Sequence, residues 1–365
     1  MSGDTGLPRA EAESPPALAR AGGEWPLVTV AVPMRDEESS LAACLEAIRA
    51  QDYPAERLEV YVVDGGSTDA SPGIVRSVQA EDPRFRCLEN PSGLVSRALN
   101  QVLRVAQGRV LLRIDAHTLV APDYVRRCVE RLAESGAQNV GGPMEPEGRS
   151  PWSRAIAAAM RSRFGVGPAR FRYARRVEPV DTVYLGAFPI ELFGRVGDFN
   201  EEMVRNQDYE MNYRIRRSGG TILADPAIRS TYLVRPDLPA LWRQFESYGY
   251  WKLQMLRRHP GSLRPRQLAA PLLVAGSAFA ALVSIAGFLS STGGFWTRAA
   301  FPLVVGGYVV ASAAAAAASV GRRGATAGAA VRLPAVFSVM HCAWGLGFWR
   351  GLLRPPGSAI GDVSR

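Results

Sequence analysis

Lysine is almost missing from this chain. Of its 43 basic residues only Lys252 is a lysine; the rest are arginines, a skew that reflects genome composition more than chemistry. The balance of 43 basic against 34 acidic residues is clearly positive, and such a balance suits nucleic acid, anionic lipid or a phosphorylated substrate. The arginines are spread along the chain, however, with no basic stripe interleaved with aromatics, which argues against nucleic acid as partner. Cysteine is scarce as well. Cys44, Cys87, Cys128 and Cys342 stand far apart with no CxxC pair, which excludes a disulfide framework and a zinc knuckle and suits reduced thiols in a cytosolic environment. The first 25 residues are polar, acidic and proline-containing and have no apolar h-region, so a signal peptide is not expected there and disorder is.

A further absence concerns the turn after the first strand. "PMRDEES" holds no glycine and three acids. A dinucleotide-binding dehydrogenase or a P-loop enzyme needs glycines there so that backbone can approach a phosphate. Acids repel an uncompensated phosphate, and a cation placed between acid and phosphate reverses that repulsion, which points to a metal.

What is present divides the chain in two. Residues 268–289, "LAAPLLVAGSAFAALVSIAGFL", and 299–320, "AAFPLVVGGYVVASAAAAAASV", carry no charge. As helices each is about 33 Å long at 1.5 Å per residue, enough for a hydrocarbon core of roughly 30 Å. A third apolar run at 333–349 is shorter and contains His341, Gly345 and Gly347; it spans, lies at the interface or re-enters. Arg257, Arg258, Arg264 and Arg266 precede the first span, only Arg298 lies between the two, and Arg322, Arg323 and Arg332 follow the second. The positive-inside rule then puts residues 1–266 in the cytoplasm, on an inner-membrane, multi-pass protein. Anionic headgroups account for much of the basic balance.

Ahead of the spans, strand and helix alternate. "LVTVAVP", "LEVYVVDGGSTD", "RFRCLEN" and "RVLLRIDAHTLV" read as strands; "EESSLAACLEAIRAQ" and "LVSRALNQVLRVAQ" read as helices, Gly108 ends the second of these, and Pro122 starts the next. Four alternations in about 110 residues argue an α/β fold with a mainly parallel sheet covered on both faces. Ligands of such sheets bind outside the carboxyl ends of the strands. Arg35 to Glu38, Asp64, Asn90, Asp115 and His117 all sit at those ends. Period-two geometry puts Asp115 and His117 on one side of an extended segment, a pair fit for a cation.

The stretches "VTVAVPMRDEESSL", "VYVVDGGSTDAS", "RIDAH" and "NQDYEMNYRIRRSGG" occur in the order seen in inverting family-2 glycosyltransferases with the GT-A fold, which the chain resembles. With "VDTVYLGAFPIELFGRVGDFNEEM" and "YGYWKLQMLRRHP" ahead of the apolar runs, it looks most like membrane-anchored bacterial exopolysaccharide enzymes of the succinoglycan glucosyltransferase type. The resemblance covers roughly residues 26–260. It implies a Rossmann-like GT-A domain at 26–237 after a tail at 1–25, a membrane-surface helix and linker at 238–266, a membrane region at 267–353 and a tail at 354–365. It implies that Pro33, Arg35 and Glu37 line the base and ribose pocket, that Asp64 accepts from uracil, and that Arg97 reaches the nucleotide or its phosphates. Asp115 and His117 hold the place of the metal-binding DxD motif, and Asp208 that of the catalytic base. Gln207, Gly186 and Tyr248 would meet the acceptor. The implied partners are a nucleotide-sugar donor such as UDP-glucose, a lipid-linked saccharide acceptor and polysaccharide assembly proteins; the implied cofactor is Mn2+ or Mg2+.

Two departures bear on this. Histidine at 117 in place of an acid favours manganese over magnesium, which prefers oxygen ligands. Processive members carry QxxRW, whereas here Gln244 is followed by Ser247 and Tyr248 where arginine and tryptophan would stand, which argues against processive polymerisation. Simpler roles compete. Asp208 at a helix start is favoured by the helix dipole in any case, and Glu210 is an alternative base or an orienting group. Asp64 and Asp69 suit turns and caps, Asp69 more so, and Asp36 and Glu38 suit the start of a helix. Trp242, Tyr248, Tyr250 and Trp251 suit an amphipathic helix anchored at a membrane surface, and His259 and His341 suit interfacial and packing positions. The basic segment 164–179 reads as a mobile loop over the site whose arginines meet an acceptor phosphate or the anionic membrane. Rival functions are a polyprenyl-phosphate glycosyltransferase and a non-catalytic, sugar-nucleotide-binding scaffold.

Overall fold

A computed structural model describes residues 24–320 and 326–354. Most of the expected N-terminal tail, the C-terminal tail after Arg354, and Arg322 and Arg323 lie outside the described residues. Trp25, assigned to the tail, instead packs edge-on against Tyr53 with ring centroids 5.2 Å apart.

The chain opens as β1 (Val28–Met34), α1 (Leu41–Arg49), β2 (Leu58–Asp64), α2 (Ser71–Glu81), β3 (Phe85–Glu89), α3 (Val95–Val105) and β4 (Val110–Arg113). β1 and β2 are mostly apolar, apart from the buried Thr29–Glu59 hydrogen bond and Asp64 at the end of β2, and are almost wholly buried because helices cover both faces of the sheet. α1 buries Leu41, Cys44, Leu45 and Ile48, one face at helical spacing. The order β3-β2-β1-β4 is parallel throughout, so the carboxyl ends of these strands share one edge. There follow β5 (Thr118–Val120), α4 (Tyr124–Ser135), β6 (Asn139–Gly141), β7 (Met144–Glu147), α5 (Pro151–Met160), α6 (Arg163–Val166), β8 (Glu178–Pro179), β9 (Ala187–Pro189), α7 (Leu192–Val196), α8 (Gln207–Arg217), β10 (Ile222–Ala224) and β11 (Ser230–Leu233). β9, β6, β10 and β8 extend the main sheet with mixed polarity, and β5, β11 and β7 form a second, three-stranded sheet. Pro122 lies before Asp123, the residue that precedes α4, rather than inside the helix. Gly108 lies past the end of α3, where a Cβ would sit 2.6 Å from Thr29 Oγ1.

Last come α9 (Leu238–Arg258), α10 (Ala269–Leu289), α11 (Phe295–Ala317) and α12 (Ala327–Leu353), of which α10, α11 and α12 are long and apolar enough to cross a membrane. α10 and α11 leave apolar side chains bare, among them Phe279, Phe288 and Trp296. α12 does not behave as a short third run. It is one continuous helix that buries Leu333, Val336, Phe337 and Met340 against a cluster containing residues of α5. Its glycines permit close approach rather than breaking it. A Cβ on Gly347 would lie 2.0 Å from the Glu246 carbonyl oxygen of α9, and one on Gly249 would lie 2.0 Å from that of Trp344. α9 is thereby covered, not laid bare on a surface. Tyr250 and Trp251, expected as membrane anchors, are buried with Met203, Tyr209 and Met255. The segment 164–179 is likewise built into the fold: it holds part of α6, a 3-10 turn at Arg170–Arg172 and β8, which pairs with β10.

Candidate active site

The stretch Arg109–Val120 is not one strand. β4 ends at Arg113, the chain turns with the Thr118 N–H donating to the Asp115 carbonyl (2.9 Å), and β5 enters the second sheet. Asp115 and His117 therefore do not share a strand face; the turn between the two sheets presents them. His117 Nδ1–H donates to Glu37 Oε1 at 2.8 Å, and Ser40 donates to Glu37 Oε2 at 2.9 Å. Burial pushes the Glu37 carboxyl up, but His117, Ser40 and Arg235 outweigh it and hold it below its ordinary value. Asp115 Oδ1 accepts from Arg113 Nε at 2.8 Å. Burial works against its ionised form too, and Arg113, His117 and Arg205 together hold its carboxyl low.

The other residues of this edge are tied by the loops that carry them. Asp64 Oδ1 accepts from Ser67 N (2.9 Å) and Oγ (2.7 Å). Asp36, at φ 52°, accepts from Thr68 N at 2.7 Å. Asp69 accepts from Ser71 N and Glu38 N, as a turn residue does. Pro33 lies within β1 opposite Val63, one residue before the Met34–Asp64 pair. Arg35 passes beside Gly65 and Gly93; Gly93 has φ +66°, and a Cβ there would sit 2.9 Å from the Arg35 guanidinium. Arg97 Nε donates to Glu201 at 3.1 Å on the wall of an open cavity of about 370 Å3 that Asn90, Ser92 and Gln101 also line.

Asp208 opens α8 behind Asn206, whose φ of 61° is a left-handed conformation that asparagine tolerates. Arg113, which bonds Asp115, has its protonated form favoured by Asp208 as well, so the two carboxylates act on one guanidinium. The Asp208 carboxylate makes no hydrogen bond or ion pair with any described residue. Glu210 is different: it is buried, and Arg214 and His259 occupy its carboxylate at 2.9–3.0 Å. Gln207 is buried with its Oε1 unpartnered. The Gly186 carbonyl accepts from Arg113 N, and the Tyr248 carbonyl accepts from Asn206 Nδ2 at 3.5 Å. Gln207 thus lies in the first turn of α8 and Tyr248 beside its N-cap residue, whereas Gly186 meets the end of β4.

Sequence reasoning passed over Arg113, Tyr184, Tyr232 and Arg235. Arg113 carried a readable signal, a charge two residues before Asp115 at the end of an apolar strand. The others carried none, because Tyr232 reaches the site only through the pairing of β11 with β5, where it stands opposite Thr118. Tyr184 OH shares a 2.6 Å hydrogen bond with Thr118 Oγ1, and the Tyr232 ring meets the His117 ring edge-on at 5.3 Å.

Residues 29–193 match glycosyl transferase family 2. Over 327 residues the chain is 32% identical to the succinoglycan biosynthesis protein ExoA of Rhizobium meliloti (strain 1021), covering 89% of this chain and 94% of that one. The chain belongs to glycosyl transferase family 2. A more distant relative, the dolichyl N-acetyl-α-D-glucosaminyl phosphate 3-β-D-2,3-diacetamido-2,3-dideoxy-β-D-glucuronosyltransferase of Methanococcus voltae, is 25% identical over 239 residues, covering 63% of this chain and 74% of that one. The fold of this family-2 glycosyltransferase is GT-A. It matches the mannosyltransferase PcManGT of Pyrobaculum calidifontis, solved with GDP-Man and Mn2+, at TM-score 0.56 and 22% identity, covering 90% of this chain and 87% of that one.

The donor set fits a divalent cation of this fold in part. With Nδ1–H held by Glu37, the His117 lone pair is on Nε2, the arrangement by which a carboxylate orients a metal-binding imidazole. Asp115 keeps one carboxylate oxygen clear of Arg113. Among the described residues no three His, Cys, Asp or Glu side chains gather at one point, so other ligands must complete the shell.

Proposed function

We propose that this family-2 glycosyltransferase is an inverting, membrane-anchored hexosyltransferase that moves a sugar, glucose from UDP-glucose, to a lipid-linked saccharide in exopolysaccharide or cell-envelope glycan synthesis. The observation that carries the reading is the Asp208 carboxylate, which acts electrostatically on the Arg113 that bonds Asp115 and has no hydrogen-bond or ion-pair partner among the described residues. A carboxylate so placed accepts the proton of an attacking acceptor hydroxyl, a contribution of about 10²–10⁴-fold. Attack from the side opposite the diphosphate inverts the anomeric centre and gives a β-linked product. Pro33, Arg35, Glu37, Asp64, Asp115 and Arg97 serve the nucleotide; Gly186, Gln207 and Tyr248 serve the acceptor. Asp115 and His117 would hold Mn2+ or Mg2+, which when bound neutralises the charge growing on the leaving diphosphate. The ExoA likeness supports an exopolysaccharide role, and the name of the Methanococcus relative supports an acceptor saccharide carried on a lipid phosphate. The apolar helices favour an acceptor held in the membrane, and the arginine pattern favours a cytoplasmic catalytic domain.

The test is sugar transfer by purified protein in detergent, with UDP- and GDP-sugars and either metal, comparing wild type with Asp208→Asn. Metal-dependent UDP release that vanishes in the variant while UDP still binds supports the reading and names the donor. Variant activity retained on polyprenyl phosphate transfers the case to a polyprenyl-phosphate glycosyltransferase, because a phosphate nucleophile needs no strong base. UDP binding with no turnover on any acceptor favours a scaffold.

A further inference from the structure

With its carboxylate bonded to no described residue, Asp208 takes its direction from the helix that carries it. The start of α8 supplies little. Asn206 makes no side-chain cap, and its amide reaches only the Tyr248 carbonyl, at 3.5 Å. Met211 and Ile215 hold α8 to the sheet in a cluster with Val183 and Phe188, but apolar contact is non-directional. The hydrogen bonds of α8 divide by face. At 3.6 residues per turn, Glu210 and Arg214 lie roughly opposite Asp208, whereas Asn212 lies one turn on and about 40° away, on the Asp208 face. Arg214 closes Glu210 and donates to the carbonyls of Val196, Gly197 and Asp198, which ties the far face to the loop after α7.

On the Asp208 face the tie is Asn212. Its Oδ1 accepts from Asn139 Nδ2 at 2.7 Å, and its Nδ2 donates to Thr182 Oγ1 at 2.9 Å. All three side chains are buried. Asn139 opens β6 and also stands against Gly186, where a Cβ would lie 2.9 Å from the Asn139 Oδ1. The Gly186 carbonyl in turn accepts from Arg113 N at 3.1 Å. Contacts therefore run unbroken from the end of β4, whose Arg113 bonds Asp115, to the face of α8 that carries Asp208. As a piece of core this trio is costly. Asn139 Oδ1 is buried with no hydrogen-bond partner, a penalty that apolar side chains of similar size would avoid. What the trio adds is direction, because a hydrogen bond fixes angle and register where apolar packing does not.

We propose that Asn212, Asn139 and Thr182 are the positioning residues of Asp208: they set the rotation of α8 against the sheet and so aim its open carboxylate at the acceptor hydroxyl. The proposal rests on the reading of Asp208 as the base, and it adds three residues that touch neither substrate. A misplacement of about 1 Å at a reacting group costs about 10²-fold in rate, which is the scale on which such residues act.

Single-turnover sugar transfer by the full-length protein in detergent tests this. The donor is the UDP- or GDP-sugar on which the wild type turns over, the acceptor is lipid extract, and enzyme is in excess over donor so that slow variants stay readable. The double variant Asn139→Leu/Asn212→Leu removes both amides together and leaves neither facing a lost partner. It should slow transfer by about 10–100-fold, with UDP affinity unchanged and the thermal midpoint close to wild type. Made on top of Asp208→Asn, the same pair should slow transfer no further, because residues that act through one group are not additive with its loss. Where the double variant does not fold, Thr182→Val removes one bond from the far end of the network. It should slow transfer by about fivefold, again only while Asp208 is present. Equal slowing with and without Asp208, a loss of UDP affinity, or an unchanged rate in the folded variants overturns the proposal alone. Full activity of Asp208→Asn overturns the reading of the base, and the positioning role with it.

Discussion

The two sides of the candidate site are built on opposite plans. At the ends of β1, β2 and β4 the carboxylates are bonded within the chain: Asp36 to Thr68, Glu37 to His117 and Ser40, Asp64 to Ser67, and Asp115 to Arg113. Toward α8 and α9 more is left open among the described residues: the Asp208 carboxylate has no bonded partner, Gln207 Oε1 and Arg172 Nη1 are unpartnered, and Arg235 has no ion pair, although Glu210 is closed by Arg214 and His259 and Arg35 Nε is also unpartnered on the first side. The first side is preorganised by its own loops and needs only a ligand to fit it. The second carries unsatisfied groups whose burial is costly until something arrives, as expected where a substrate, and not the protein, completes the hydrogen bonding.

The sharpest way to break this comparison is Asp208→Asn. Removing the open carboxylate should lower kcat by about 10²–10⁴-fold while UDP affinity, measured separately by calorimetry, stays as it was. An equal loss of UDP affinity would move Asp208 to the preorganised side. Next in size is Glu37→Gln. An amide in place of the carboxylate that holds His117 Nδ1–H should raise the Mn2+ concentration for half-maximal activity by about 10–100-fold, with Asp208→Asn leaving that concentration untouched. A metal dependence unmoved by Glu37→Gln would mean that His117 is oriented by something else.

The preorganised side was also the more legible in sequence. Period-two and helical spacing marked β1 to β4 with their helices, and the parallel order brought Asp64, Asp115 and His117 to one edge as the alternation implied. On the open side the sequence proposed Asp208, Gln207, Gly186 and Tyr248, and did so through motif likeness alone. Tyr232 and Arg235 depend on β11 pairing with β5, more than a hundred residues earlier, a contact with no local signature. The third apolar run was left open between spanning, interfacial and re-entrant for a related reason: the helix extends beyond 333–349, and Gly347 is where it meets the backbone of α9, a contact with no local signature. Tyr250 and Trp251, whose aromatic character alone suggested a membrane surface, are buried by Met203, Tyr209 and Met255 instead.

Lys252 tests whether every uncompensated cation on the open side awaits a ligand. It is buried in α9, its Nζ 4.4 Å from the Tyr209 ring centre and 3.1 Å from the Ser262 carbonyl, so its contacts are internal. Burial pulls its ammonium to about 7, with Arg266, Arg216 and Arg264 adding to the effect and Asp181 opposing it. The unfolded chain keeps the proton up to the ordinary value of about 10.4, so between about 7 and that value the unfolded state binds more protons and stability rises with pH; below about 7 both states are protonated and the gain is absent. Denaturant unfolding should show that rise in wild type and not in Lys252→Met, which should be the more stable at pH 6 by on the order of 1–2 kcal/mol. A flat wild-type profile would mean that the ammonium is compensated after all.

The smallest effect is expected from Arg97→Ala, on the preorganised side. Arg97 is half exposed, and its Nε is engaged by Glu201, which Asn100 also holds from α3. If the guanidinium reaches the nucleotide it must do so while shared with that acid, and an exposed, shared charge contributes about 0–1 kcal/mol. Donor KM should therefore rise by no more than roughly fivefold, with kcat unchanged, and Glu201→Gln should lower KM slightly by releasing the arginine. A rise of a hundredfold in Arg97→Ala would show that the donor strips Arg97 from Glu201 on binding. The edge at β3 would then be a second open region, and the contrast between the two sides would hold only for the acids around β1, β2 and β4.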